Sequence, residues 1–168
     1  MNTRFIAIFL LATLTPIDLT ASEAAGPTAN FLSEISIDGL KQGITENQNA
    51  SEKLRACILD LKGSSISQDM EMYLSSRMTQ RELTLVDSFI SSDLGKVFTS
   101  YALDNGRQQH GRGLEKPLVL SMEHIRGLEE FGKTEHGKKF VEIYTNESQD
   151  PLDSALLRVV DSCKRNAN

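Results

Sequence analysis

Side chains able to do chemistry are sparse in this 168-residue chain: three histidines, His110, His124 and His136, and two cysteines, Cys57 and Cys163. Imidazoles converging with a carboxylate would make a hydrolytic metal centre, where the ion lowers the pKa of a bound water. His124 or His136 with acids such as Glu129, Glu130, Glu135 and Glu142 could supply one. No H-E-x-x-H and no i, i+4 histidine pair occurs, however, and the acids read first as solvated helix faces. G-x-S-x-G and S-x-x-K, the usual local signals of a serine nucleophile, are also missing. Gly95-Lys96 lacks the G-x-x-x-x-G-K-[ST] spacing of a phosphate loop. Glu82 and Asp87 would form a glycosidase pair only in a fold that faced them across a sugar. The expectation is a protein with no catalytic residue, no metal and no cofactor.

Cys57 and Cys163 have no histidine nearby in sequence to activate a thiolate. In an oxidising compartment pairing is the default, the alternative being two buried thiols. A bridge between them would close a loop of about 107 residues, which chain entropy values at roughly 4 to 5 kcal/mol.

The start of the chain argues for that compartment. A basic opening through Arg4, an apolar run from Phe5 to Leu14 broken only by Thr13, and small residues near Ala21 to Ala25 read as a secretory signal peptide. Cleavage is placed after Ala24, with Ala21 as second choice. The apolar run is about half of the roughly 20 residues that a bilayer span needs, so no transmembrane segment is expected after cleavage. The formal charge is −5, and because the leader carries Arg4, Asp18 and Glu23 the remainder is −4. A mildly acidic chain with interspersed lysines has no electrostatic reason to seek nucleic acid. Residues 25–168 suffice for one domain with a single core.

The elements that must position these side chains are helical throughout. Phe31, Leu32, Ile35 and Leu40 make an amphipathic helix over 27–42, stopped by Gly43. Leu54, Cys57, Ile58 and Leu61 make another over 50–62, stopped by Gly63, with Cys57 facing the core. Ser67 caps a helix to Arg77 that carries Met70, Tyr73 and Leu74 on one face. Asp150-Pro151 opens a last helix whose stripe of Leu152, Leu156, Val159, Val160 and Cys163 brings the second cysteine inward.

Between them the chain repeats itself. Phe89, Gly95, Lys96 and Phe98 recur as Phe131, Gly137, Lys138 and Phe140 at a constant offset of 42 (131 − 89). Thr79 with Glu82 forms a capping box, with Met78 and Leu83 as its hydrophobic staple. Ser121 repeats the cap and Leu120 and Ile125 the staple, but His124 in place of the glutamate predicts a weaker reciprocal half. Ser92 and Thr134 then cap a following helix. Gly95 and Gly137 fall in its first turn, where the missing side chain would let the preceding helix cross closely. The repeat units are 78–103 and 120–145. The intervening 104–117, with three glycines and two arginines, reads as an exposed linker, and Arg107, Gln108, Gln109, His110 and Arg112 are candidate partner contacts. No segment alternates with period two. The fold expected is an all-α, single-domain bundle of about seven or eight helices around a duplicated helix-turn-helix.

With these corners in view, the chain resembles a family of exported bacterial helical proteins classed as a domain of unknown function. The matching residues are Glu82, Leu83, Phe89, Ser92, Gly95, Lys96 and Phe98, then Ile125, Phe131, Thr134, Gly137, Lys138 and Phe140. The resemblance covers roughly 54–144. The family often has proline after the small turn residue, where this chain has Asp93 and Glu135, both suited to a helix start. It implies a bacterial envelope protein and carries over no catalytic residue.

The favoured expectation is therefore a periplasmic or secreted, non-enzymatic module that binds another envelope protein, through a helical face or the glycine-rich loop. An immunity or inhibitor protein is a specific version. A hydrolase using His124 or His136 would need both imidazoles and an acid in one pocket. A carrier of apolar ligands would need an elongated cavity lined by Met70, Phe89, Phe98 and Phe131.

Overall fold

A computed structural model describes residues 24–108, 113, 114, 116–145 and 150–167. The leader, residues 109–112 and Glu115 thus lie outside the described residues. The chain is all-α: α1 (Pro27–Glu46), α2 (Glu52–Asp60), a 3-10 turn (Gly63–Ser65), α3 (Ser67–Arg77), α4 (Gln80–Ser91), α5 (Asp93–Gln108), α6 (Met122–Lys133), α7 (Glu135–Thr145) and α8 (Asp150–Ala167). Among the described residues there is no strand.

The duplicated segment forms a four-helix unit, α4 to α7. α4 packs on α7 as α5 packs on α6, and matched aromatics of the two halves meet. The rings of Phe89 and Phe131 stack with centroids 3.6 Å apart, and Phe98 meets Phe140 edge to face at 6.2 Å. α1 lies across α4 and α5, adding Phe31 against Phe98 and Tyr144. The main core continues into α3 and α8 through Met70, Tyr73, Leu74, Leu152 and Ala155. Burial raises the Tyr144 phenol pKa by desolvation.

The two corners are built alike. Ser92 Oγ donates to Phe89 O at 2.6 Å and accepts from the Gly95 N–H at 3.0 Å. Thr134 Oγ1 does the same with Phe131 O at 2.7 Å and Gly137 N–H at 3.0 Å. A Cβ on Gly95 would overlap the Phe89 carbonyl oxygen, and one on Gly137 that of Phe131. Glycine is therefore required by the close approach of the preceding helix end. Lys96 and Lys138 point outward, and Lys96 pairs with Asp93 at 3.5 Å across one exposed turn.

Cys57 and Cys163 form a disulfide joining α2 to α8, with Cα atoms 5.7 Å apart. Around it Ile44, Ile58, Leu54 and Val160 make a second, smaller core.

Several boundaries differ from expectation. α1 runs through Gly43 to Glu46, because Ile44 is buried in the second core and holds that turn in place. α2 is shorter, starting after the Ser51 cap, whose side chain accepts from Leu54 N–H, and ending at Asp60. Gly63 opens a 3-10 turn instead, its N–H donating to Glu34 at 3.0 Å. Ser67 is the first residue of α3 and buried, and no side chain caps that helix. α5 continues through Asn105 and Gly106 to Gln108, so the linker begins later than residue 104. The two copies also differ in depth: Leu83, Val86 and Ile90 of α4 are buried, whereas no residue of α6 is.

Candidate interaction surface

Asp104 decides how the linker returns to the bundle. Its buried carboxylate accepts from the Leu114 N–H at 2.8 Å and the Leu118 N–H at 3.1 Å, tying both ends of the returning segment to α5. Gln108 adds a bond from Nε2 to the Leu114 carbonyl at 2.6 Å. From Pro117 to Ser121 the chain then runs along α5 without turn or bend. The peptide groups of Val119 and Leu120 bond to no other group among the described residues.

This arrangement leaves apolar side chains facing water. Val119 is 87% exposed, Leu114 55% and Leu118 40%. Between the 118–120 segment and α5 lies an open groove of about 320 Å³ lined by Val97, Tyr101, Leu118, Val119 and Leu120, together with Lys96 and Ser100. A chain that exposes a strand-like apolar segment beside a groove has the parts of a peptide-binding edge: free N–H and C=O groups for pairing and a slot for alternate side chains.

Of the loop residues predicted to contact a partner, Arg107 and Gln108 belong to α5 rather than to a mobile loop. Arg107 Nε pairs with Asp38 at 2.6 Å, locking α5 to α1 beside a cleft of about 140 Å³ that includes Ile35, Gly39 and Leu103. Gln109, His110 and Arg112 lie outside the described residues.

The surface has no precedent among known proteins. No family model, no curated protein and no solved structure matches the chain.

The other sequence candidates are spent in the architecture. Thr79 Oγ1 accepts from Glu82 N–H, and the Glu82 carboxylate accepts from Thr79 N–H at 2.8 Å. The Glu82 carboxylate also accepts from Lys139 Nζ of α7 at 2.6 Å and from the Thr79 hydroxyl at 2.9 Å, and together with the Thr79 N–H these lower its pKa from 4.5 to about 2. His124 completes the second capping box that was expected to be weak: its Nδ1 accepts from Ser121 N–H at 3.4 Å, and its own N–H donates to Ser121 Oγ at 3.2 Å. The longer distance reflects an imidazole doing what a carboxylate does in the first copy. The second staple lies nearer the surface, with Ile125 exposed where Leu83 is buried. His136 packs edge-on against Phe131. Among the described residues no three His, Cys, Asp or Glu are grouped to hold a metal ion. Phe89, Phe98 and Phe131 pack ring on ring with Met70 buried in the same core, so side chains fill the space a carrier cavity would need.

The Leu118 to Leu120 surface escaped sequence reasoning because Leu118 and Val119 fall between the linker, 104–117, and the second repeat unit, and Leu120 was assigned to a helix staple. One signal was present. Asp104 falls on the apolar stripe of α5, spaced with Val97 and Tyr101, and an acid there must find donors.

Proposed function

We propose that the protein is an exported, non-enzymatic binding module that holds an extended apolar segment of another envelope protein along Val119 and Leu120. The observation that carries this reading is the pairing of unbonded peptide groups with an apolar groove on a segment anchored by Asp104. A partner strand would bond to the Val119 and Leu120 backbone and set an apolar side chain between Val97 and Tyr101. Pre-anchoring lowers the ordering cost of binding.

Export is supported by the leader pattern in the sequence and by the Cys57–Cys163 bridge. No helix among the described residues is long and apolar enough to cross a membrane. An inhibitor of an envelope enzyme is one form such a module could take, with the groove segment as its contact.

The test is affinity capture from the native envelope with wild-type protein and with Val119→Asp and Tyr101→Ala variants. Both variants are expected to retain the wild-type melting curve and to lose the partner by about tenfold or more, as for a central interface anchor. Recovery equal to wild type from both would remove this surface from the account.

A further inference from the structure

We infer that the protein also pairs with a second copy of itself, through the outer face of α6 and antiparallel about a two-fold axis. The residues differ from those lining the groove, so this goes beyond the binding role proposed above.

The first observation is the difference between the two halves of the four-helix unit. Positions Leu83, Val86 and Ile90 of α4 are buried, and α1 is one of the helices that cover that element. The matched positions on α6 are Ile125, Leu128 and Gly132. α6 packs on α5 and α7, yet Ile125 is exposed and Met122 is 66% exposed. At the matched positions α6 thus leaves Ile125 in water, with Leu128 half-buried and Gly132 in place of Ile90, and Met122 adds an exposed apolar group one turn before. In this chain α1 is already committed to α4 and α5, so a second copy has no free α1 to offer. What it does offer is another α6.

The charges of that face match themselves. Met122, Ile125, Glu129 and Gly132 follow one helical stripe, with Arg126 and Lys133 on its flank. Arg126 and Glu129 are exposed, and neither has a charged or hydrogen-bonded side-chain partner among the described residues. Reversing one α6 against another about the midpoint between these two sets Arg126 of each copy against Glu129 of the other. The same operation sets Met122 of each copy opposite Lys133 of the other, one residue from Gly132. Gly132 has nothing within 4 Å of where its Cβ would stand, so it forms an open hole for that methionine. Helix dipoles also oppose favourably in this direction. A two-fold contact of this kind is self-complementary and closed. The dimer carries two grooves in one particle, which raises the effective concentration for a partner presenting more than one segment.

Sedimentation of the protein, expressed from its full reading frame and purified with its disulfide intact, is expected to show a monomer–dimer equilibrium at micromolar concentration. Arg126→Glu and Glu129→Arg should each weaken the dimer by about tenfold, and the two together should restore it to within about threefold. Met122→Glu tests the apolar part of the same face and should leave monomer. A single-chain mass at all concentrations up to hundreds of micromolar overturns the inference. So does a double charge swap as weak as its parents, or a dimer that persists in Met122→Glu. Capture of an envelope partner by Arg126→Glu at the wild-type level per chain would leave the groove reading standing whatever the dimer does.

Discussion

At Gly95 and Gly137 the absent methyl group is a structural requirement, since a Cβ at either place would run into the carbonyl of the phenylalanine six residues before it. At Gly43, which is also inside a helix, a Cβ would meet nothing within 4 Å. The three positions therefore predict opposite signs. Gly95→Ala or Gly137→Ala should destabilise by about 3 kcal/mol, as backbone overpacking does, while Gly43→Ala should stabilise by about 0.5 to 1 kcal/mol from helix propensity. Urea unfolding of the three variants measures this directly. Glu82 gives a second residue-scale prediction. Its folded pKa of about 2 lies below the ordinary 4.5, so the stability it contributes is complete above that ordinary value. It is lost as pH falls through about 2. Lys139→Met removes the largest cause of the depression, and a carbon-detected NMR titration should show the Glu82 carboxyl moving up toward its ordinary range. An unchanged titration would mean that Lys139 does not hold it.

Among the elements, α2 stands apart: its buried residue Ile58 lies in the small second core and the disulfide ties it to α8, which itself also reaches the main core through Leu152 and Ala155. Replacing Cys57 and Cys163 together by serine is expected to cost about 2 to 5 kcal/mol. Amide hydrogen exchange should then show α2 opening first, with the four-helix unit keeping its protection; uniform loss would contradict the separation. Much of this element plan was legible in the chain. The stripe through Leu54, Cys57 and Ile58 faced the first cysteine inward, the stripe through Val159 and Val160 faced the second to meet it, and the offset of 42 between Phe89 and Phe131 marked two corners that prove to have the same hydrogen bonds. What was not legible is what tertiary contact decides. Gly43 and Asn105-Gly106 carry stop signals worth only about 1 kcal/mol, and a buried Ile44 or an Arg107 held by Asp38 overrides them. Burial of one copy and exposure of the other depend on where α1 lands, which no local pattern in α4 or α6 encodes.

For the whole molecule, apolar groups left in water run along Leu118–Leu120 and α6, and they occur also on the helices tied by Cys57–Cys163, at Leu59 and Leu157. A mildly acidic chain gains nothing in solubility from exposing Val119, and the binding role proposed above gives that side chain a partner to cover it. The candidate histidines do not bear on this, because His124 is used in a helix cap and His136 against Phe131. The most direct measurement of the binding role is site-specific photocrosslinking in the intact envelope, with the crosslinker at Val119 and, as a control, at Met72 of α3, which is also well exposed. A discrete adduct with another envelope protein from Val119 and none from Met72 is the result predicted. Adducts of equal yield from both positions, or none from Val119, would contradict the account.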